Sequence, residues 1–178
     1  TIAHHFRSLV VPSMASTRAS PKEGEKDVSA MRSKVFVSYA HRDEAHRQNV
    51  DEHLKVLEAA GLLDVWDDRD IGAGEDWEER IDAKLRTCKV AVLLISPAFL
   101  GSDFIRKKEV PELLERHGRD GMHIMPIMVR FCAYKRFDWL ARLQIRPRDA
   151  EALAESERER DRQLAAIADE IATMCGRS

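Results

Sequence analysis

The segment Lys89–Glu115, KVAVLLISPAFLGSDFIRKKEVPELLE, decides how the rest of the chain is read. It predicts a buried strand from Val90 to Ile95, a tight connection through Ser96 and Pro97, and a helix opened by Ser102 or Asp103. An unbroken apolar run bounded by Lys89 and by Ser-Pro fits a central parallel strand covered on both faces, not a half-solvated one. In the helix, Ile105, Glu109 and Leu113 recur at i, i+4 and i+8 and share one face. Glu109 therefore falls on an apolar stripe, where a carboxylate costs free energy unless it is paired, protonated or in use. Two readings stand side by side. In one, Glu109 reaches the rim and pairs with Arg106, Lys108 or another base; in the other it is a functional group.

Upstream, Lys34–Tyr39 (KVFVSY) alternates and is β-branched or aromatic, which predicts a strand. It exits through Ala40, His41, Arg42 and Asp43 into a helix with Val50, Leu54 and Leu57 at helical spacing, closed by Gly61 at the C′ position. A short strand over Leu63–Trp66 leads into a polar loop punctuated by glycine: Asp67, Asp68, Arg69, Asp70, Ile71, Gly72, Ala73 and Gly74. A helix follows over about Glu75–Thr87, with Trp77, Ile81 and Leu85 inward and acidic residues in its first turn, where the helix dipole favours them.

Downstream, Pro111 is expected to kink or restart its helix. His123–Val129 (HIMPIMV) is a further apolar strand, and Pro126 within it argues for a bulge or a place near the sheet edge. Between Phe131 and Pro147, Trp139, Leu140 and Leu143 suggest a short helix, followed by a brief edge strand. Glu157–Met174 closes the chain as an amphipathic helix with Leu164, Ile167, Ala168 and Ile171 inward. This alternation makes an α/β fold, a doubly wound sheet of about five parallel strands with helices on both faces. Ligands of such sheets sit beyond the C-terminal strand ends, where the strand order reverses. The segments Tyr39–Asp43, Trp66–Gly74 and Ser96–Glu109 all follow strand ends and are expected to converge on one crevice.

Composition narrows the function. The 178 residues are 44% hydrophobic and 34% charged, with a net charge of −2, which suits one α/β-sized domain and disfavours direct nucleic-acid binding. No apolar run approaches the about 20 residues of a membrane helix, and SLVVPSMA near the start is too short for a secretory core. Cys88, Cys132 and Cys175 are widely spaced without a CxxC, which points to a reduced, cytoplasmic protein with no metal site. Residues 1–33 lack periodicity and are rich in Ser, Pro, Lys and Glu, so they read as a disordered linker or leader ahead of a domain at 34–176. A start at Thr1 fits a processed or excised piece.

Phosphate-binding signatures are missing: SYAHRDE after the first strand holds no GxGxxG, and there is no Walker loop. No GxSxG elbow is present. A phospho-receiver needs an acceptor Asp at the end of the third strand, where this chain has Ser96 and Pro97.

The blocks FVSYAHRDE, DVWDDRDIGAGEDWEERI, KVAVLLISPAFLGSDFIRKKEVPELL and HIMPIMV, in this order, closely resemble the bacterial branch of the TIR (Toll/interleukin-1 receptor) domain. The resemblance runs from Lys34 to about Met174. It implies a flavodoxin-like sheet of five parallel strands, with Asp67 to Gly74 as the BB loop. Many members cleave NAD+ at the nicotinamide–ribose bond, using a glutamate early in the helix after the central strand in a pattern like SxFxxxKE. Ser102, Phe104, Lys108 and Glu109 match that pattern, so the resemblance carries the catalytic role onto Glu109. It also sets Tyr39, Ala40 and His41 against the substrate, with Asp67 and Gly72 at the crevice mouth. Where many members have Arg after the aromatic residue, this chain has Ala40 and His41. Phe104 has two readings, stacking on a substrate ring or packing in the core.

The chemistry suits a lone carboxylate. Nicotinamide leaves NAD+ as a neutral molecule, so no general acid is required, unlike ordinary glycoside cleavage with its carboxylate pair. No cofactor is implied, since NAD+ is the substrate, and the product is ADP-ribose or a cyclic isomer. The resemblance further implies homo-oligomers with other TIR domains on activation, a sensor domain or protein as partner, and a role as effector of bacterial anti-phage immunity. The alternative is a TIR interaction and signalling module without catalysis.

Overall fold

The pattern of apolar residues becomes a parallel sheet because strand and helix alternate and each strand's two faces demand cover. The structure is a computed structural model describing residues 32–67, 85 and 87–176. The strands are β1 (Ser33–Ser38), β2 (Leu63–Asp67), β3 (Cys88–Ile95) and β4 (His123–Met128). All pair in parallel, in the order β2-β1-β3-β4. That is the flavodoxin-like order without its last member. Helix α1 (Glu44–Ala59) follows β1. After β3 come α2 (Pro97–Gly101), a π turn over Ile105–Glu109 and α3 (Val110–Asp120). Beyond β4 lie a short α4 (Asp138–Ala141) and the long α5 (Glu157–Gly176).

The core divides by the two faces of the sheet. On one, Val50, Leu54 and Leu57 of α1 and Leu164, Ile167, Ala168 and Ile171 of α5 pack over Val35, Val37, Val90, Val92 and Leu94. On the other, Phe36, Trp66, Ala91, Leu93 and Ile95 meet Phe99, Ile105, Val110 and Leu113. β3 is buried throughout its second half because it is covered from both sides, as its unbroken apolar run requires. Of the helix expected over Glu75–Thr87, Leu85 and Thr87 lie among the described residues; Leu85 is helical and buried in the second cluster, and Thr87 is exposed in a turn.

Two elements differ from the sequence reading, and a third takes a form that it does not specify. The expected fifth strand is reduced to an isolated parallel bridge between Ile127 and Arg146. The Arg146 amide donates to the Pro126 carbonyl at 2.8 Å and the Met128 amide to the Arg146 carbonyl at 2.7 Å. The chain then turns away through Arg148–Ala150, and the next acceptor on β4, the Met128 carbonyl, takes the Leu153 amide at 2.8 Å instead. Pro126 is tolerated because its bonding side faces this outer edge of β4, away from β3.

The connection after β3 is not a bare turn. Ser96 caps a short helix, its hydroxyl accepting from the Phe99 amide at 3.0 Å with Pro97 in the first turn, the arrangement that Ser-Pro favours at a helix start.

The helix with Glu109 opens at Ser102 and breaks near Pro111 as expected, but the break is a π turn. Ser102 is extended and ends α2, and a π turn precedes α3. Pro111 explains the widened turn. It cannot donate to the carbonyl of residue 107, and its ring crowds that carbonyl, so the backbone opens to an i→i+5 bond from the Val110 amide to the Ile105 carbonyl. The helix then restarts with Pro111 in its first turn.

Candidate functional site

The order β2-β1-β3-β4 means that the chain leaves β1 towards one edge and returns to its other side as β3. The crevice of such a sheet therefore opens between the C-terminal ends of β1 and β3. Asp43 and Ser96 meet there. Asp43, in the turn His41–Asp43 after β1, is fully buried at 0% exposure. Its Oδ2 accepts from the Ser96 hydroxyl at 2.5 Å, and its own amide donates to the Ala40 carbonyl at 2.7 Å. Arg130 reaches the same carboxylate from the exit of β4, with Nη1 3.8 Å from Oδ1. The Val129 and Arg130 amides both donate to the Ile95 carbonyl, which holds that exit against β3. Asp43 thus ties the ends of β1, β3 and β4 together.

Glu109 is the last residue of the π turn and is 6% exposed. Its neighbours on the helix face, Ile105, Val110 and Leu113, join Ala40, Trp66 and Ile95 in one apolar cluster beneath the ends of β1, β2 and β3. Ile105, Glu109 and Leu113 are all buried, as their spacing predicts, although the π turn interrupts the helical seam between them. Arg106 ion-pairs with Asp103, and Lys107 bonds the same carboxylate at 3.1 Å. Ser102, matched to the family pattern, has a local task. Its hydroxyl accepts from the Ile105 amide at 3.4 Å and its carbonyl from the Arg106 amide at 3.1 Å, so it caps the π turn. Phe104 is 46% exposed, which removes its core reading.

The residues after β1 fall on different sides. Ala40 belongs to the cluster beside Glu109, whereas Tyr39 packs in the opposite one. The Tyr39 ring lies under the Arg47 guanidinium at 5.7 Å and meets the exposed His41 edge-on at 6.3 Å. Burial pushes the Glu44 carboxyl up, but hydrogen bonds from Tyr39 and Arg47 outweigh it and hold that group below its usual range. His46 is lowered, chiefly because burial disfavours its charged form; Asp43 works against that shift, and Arg130 and Arg160 add to it.

Asp67 ends β2. Asp68, Arg69, Asp70, Ile71, Gly72, Ala73 and Gly74 lie outside the described residues, as do residues 1–31. Sequence reasoning missed Asp43, Ser96 and Arg130 as a group. The available signal was a polar residue at each of three strand exits, in a fold that brings those exits together.

A family profile for the TIR domain matches residues 35–165. The chain belongs to the TIR domain family. The protein y4lF of Sinorhizobium fredii is 34% identical over 125 residues, covering 68% of this chain but 37% of that protein. This TIR chain therefore spans little over a third of the curated relative it matches. Among solved structures, the TIR domain of the Toll-related receptor TRR-2 from Hydra magnipapillata aligns with a TM-score of 0.42 and 23% identity. That match covers 55% of this chain and 71% of the other. The TIR domains of the activated Roq1 resistosome, which directly recognizes the pathogen effector XopQ, align with a TM-score of 0.48 and 15% identity, over 77% and 84% of the two chains. Among the described residues of the TIR chain, no helix is long and apolar enough to cross a membrane.

Proposed function

We propose that this TIR domain cleaves NAD+ at the nicotinamide–ribose bond, with Glu109 as the catalytic carboxylate. The observation that carries the reading is a carboxylate buried to 6% exposure on an otherwise apolar helix face, beside the strand ends where a doubly wound sheet binds its ligands. The C–N bond between ribose and the pyridinium nitrogen breaks, and its electron pair leaves with neutral nicotinamide. Water attacks the ribosyl carbon and gives ADP-ribose with loss of a proton; attack by the substrate's own adenine or ribose gives a cyclic isomer instead. Glu109 holds the ribose hydroxyls and offsets the positive charge that develops on the sugar. In water-poor surroundings that field is worth far more than in bulk solvent.

Ala40, His41 and Phe104 flank the substrate in this reading, with Asp67 and Gly72 at the mouth; Tyr39 contributes by fixing the turn after β1. NAD+ is substrate, so no cofactor is needed. The domain acts in the cytoplasm, as the effector portion of a bacterial defence protein whose sensor responds to infection. It works as a homo-oligomer in which a neighbouring copy packs on the Asp67 to Gly74 loop and excludes water from the crevice.

The test is direct. Concentrated protein is incubated with NAD+, and the products are separated by chromatography and identified by mass. Release of nicotinamide with ADP-ribose or its cyclic isomer supports the reading. Intact NAD+ at high protein concentration refutes it and leaves a TIR interaction module.

A further inference from the structure

A continuous run of hydrogen bonds leads from the buried Asp43 to the turn that carries Glu109. Asp43 Oδ2 accepts from the Ser96 hydroxyl at 2.5 Å, and Ser96 Oγ accepts from the Phe99 amide at 3.0 Å. The Phe99 carbonyl accepts from the Ser102 amide at 3.2 Å. Ser102 then receives the Ile105 amide on its hydroxyl and the Arg106 amide on its carbonyl. The Ile105 carbonyl accepts from the Val110 amide and closes the π turn over Glu109. Every link is local except the first, which crosses from the exit of β1 to the exit of β3. Asp43 and Ser96 are both at 0% exposure, so that link forms away from water, where a hydrogen bond to a carboxylate is strong. A buried carboxylate at this place would be a liability to folding alone, since an apolar residue could fill the volume.

We propose that Asp43 is a positioning residue: its bond to Ser96 fixes α2 and the π turn, and thereby holds the Glu109 carboxylate in place over the crevice. The proposal rests on the NAD+ reading for its effect on turnover, but not for its effect on the backbone. Asp43 touches no substrate; it acts through the Ser96 hydroxyl and the Phe99 amide. Displacing a reacting group by about 1 Å can cost about 100-fold in rate. Loss of the first link should therefore lower kcat by about 10- to 100-fold and leave KM nearly unchanged.

Three variants separate positioning from simple stability. Asp43→Ala removes the acceptor; Asp43→Asn keeps an oxygen for the Ser96 hydroxyl without the charge; Ser96→Ala removes the donor and keeps the carboxylate. Activity is read well below each variant's melting temperature, beside amide hydrogen exchange. We expect kcat to fall in Asp43→Ala and Ser96→Ala, to recover partly in Asp43→Asn, and to fall little further in the double alanine variant, because both sides break one link. Exchange should quicken at the Phe99, Ile105, Arg106 and Val110 amides, with β1, β3 and β4 protected as before. Additive losses, Asn no better than Ala, or exchange raised equally across the sheet would overturn the proposal. Should the unaltered protein leave NAD+ intact, the enzyme reading falls, and the exchange pattern alone decides whether Asp43 holds the π turn.

Discussion

Glu109→Gln is the sharpest perturbation of the candidate site, because it changes charge with almost no change of shape. Glu109 is 6% exposed, so truncation to Ala would open a cavity and confuse a chemical effect with a packing one. Gln fills the same volume and keeps an oxygen acceptor, but cannot answer positive charge on a ribosyl centre. Removing one electrostatic contribution of this type costs about 3–4 kcal/mol of transition-state stabilisation, or about 100- to 1000-fold in kcat. The melting temperature should stay close to that of the parent, since Gln fills the same buried volume and keeps a hydrogen-bonding oxygen. The assay pairs nicotinamide release with thermal unfolding on the same preparation. Turnover within about threefold of the parent, with an unchanged melting temperature, would show that the Glu109 charge does not act on the reaction. A variant that loses activity only by unfolding would be equally damaging, since the carboxylate would then be structural.

Three further outcomes follow from the same geometry. Leu93 is at 0% exposure in the middle of β3 with helices over its face, so Leu93→Ala should cost about 2–5 kcal/mol in urea unfolding; a loss below about 1 kcal/mol would mean that this face is loosely packed. His46 has its pKa lowered, chiefly by burial, so the unfolded chain binds more protons as pH drops through the ordinary histidine value of about 6.5. Its contribution is present above that pH and is lost below it: the melting temperature should fall on acidification, less so in His46→Gln, and a rise would contradict the assignment. If a second copy completes the crevice, nicotinamide release per mole of protein should climb with concentration; a flat series with robust turnover at nanomolar protein removes the assembly requirement.

The features legible in the sequence were those set by period and by local stereochemistry. Val90 to Ile95 announced a doubly covered strand because no polar residue interrupts it, and β3 is buried on both faces. Gly61 announced the end of α1 and carries the left-handed φ of 74° that the C′ position requires. Pro111 announced a break, and the helix restarts around it. Other features were illegible because they depend on partners distant in the chain. Asp43 and Ser96 are 53 residues apart, and nothing near either names the other until the strand order makes their exits adjacent. The fifth strand stops at one rung for a reason that a pattern of hydrophobicity does not weigh: the chain turns at Arg148–Ala150, and the Leu153 amide takes the Met128 carbonyl that the next rung would need.

The π turn is where sequence and site come together. In an unbroken α-helix, residues 105, 109 and 113 stack on one seam, and a carboxylate at the middle place would sit squarely among apolar groups. The i→i+5 bond instead brings Val110 into line with Ile105, and both enter the apolar cluster with Leu113. Val110 thus takes the core place, and Glu109 is set one residue off the seam while remaining buried. Single π turns inside helices are rare and occur frequently at functional sites. Here it has a cause in Pro111, a cap in Ser102 and an anchor that runs through Ser96 to Asp43. A segment held at both ends against its own helical preference is what a buried carboxylate needs if it is to keep one position beside a crevice. The same logic makes Pro111 and Ser102, neither of which bears the chemistry, part of how the chain puts Glu109 there.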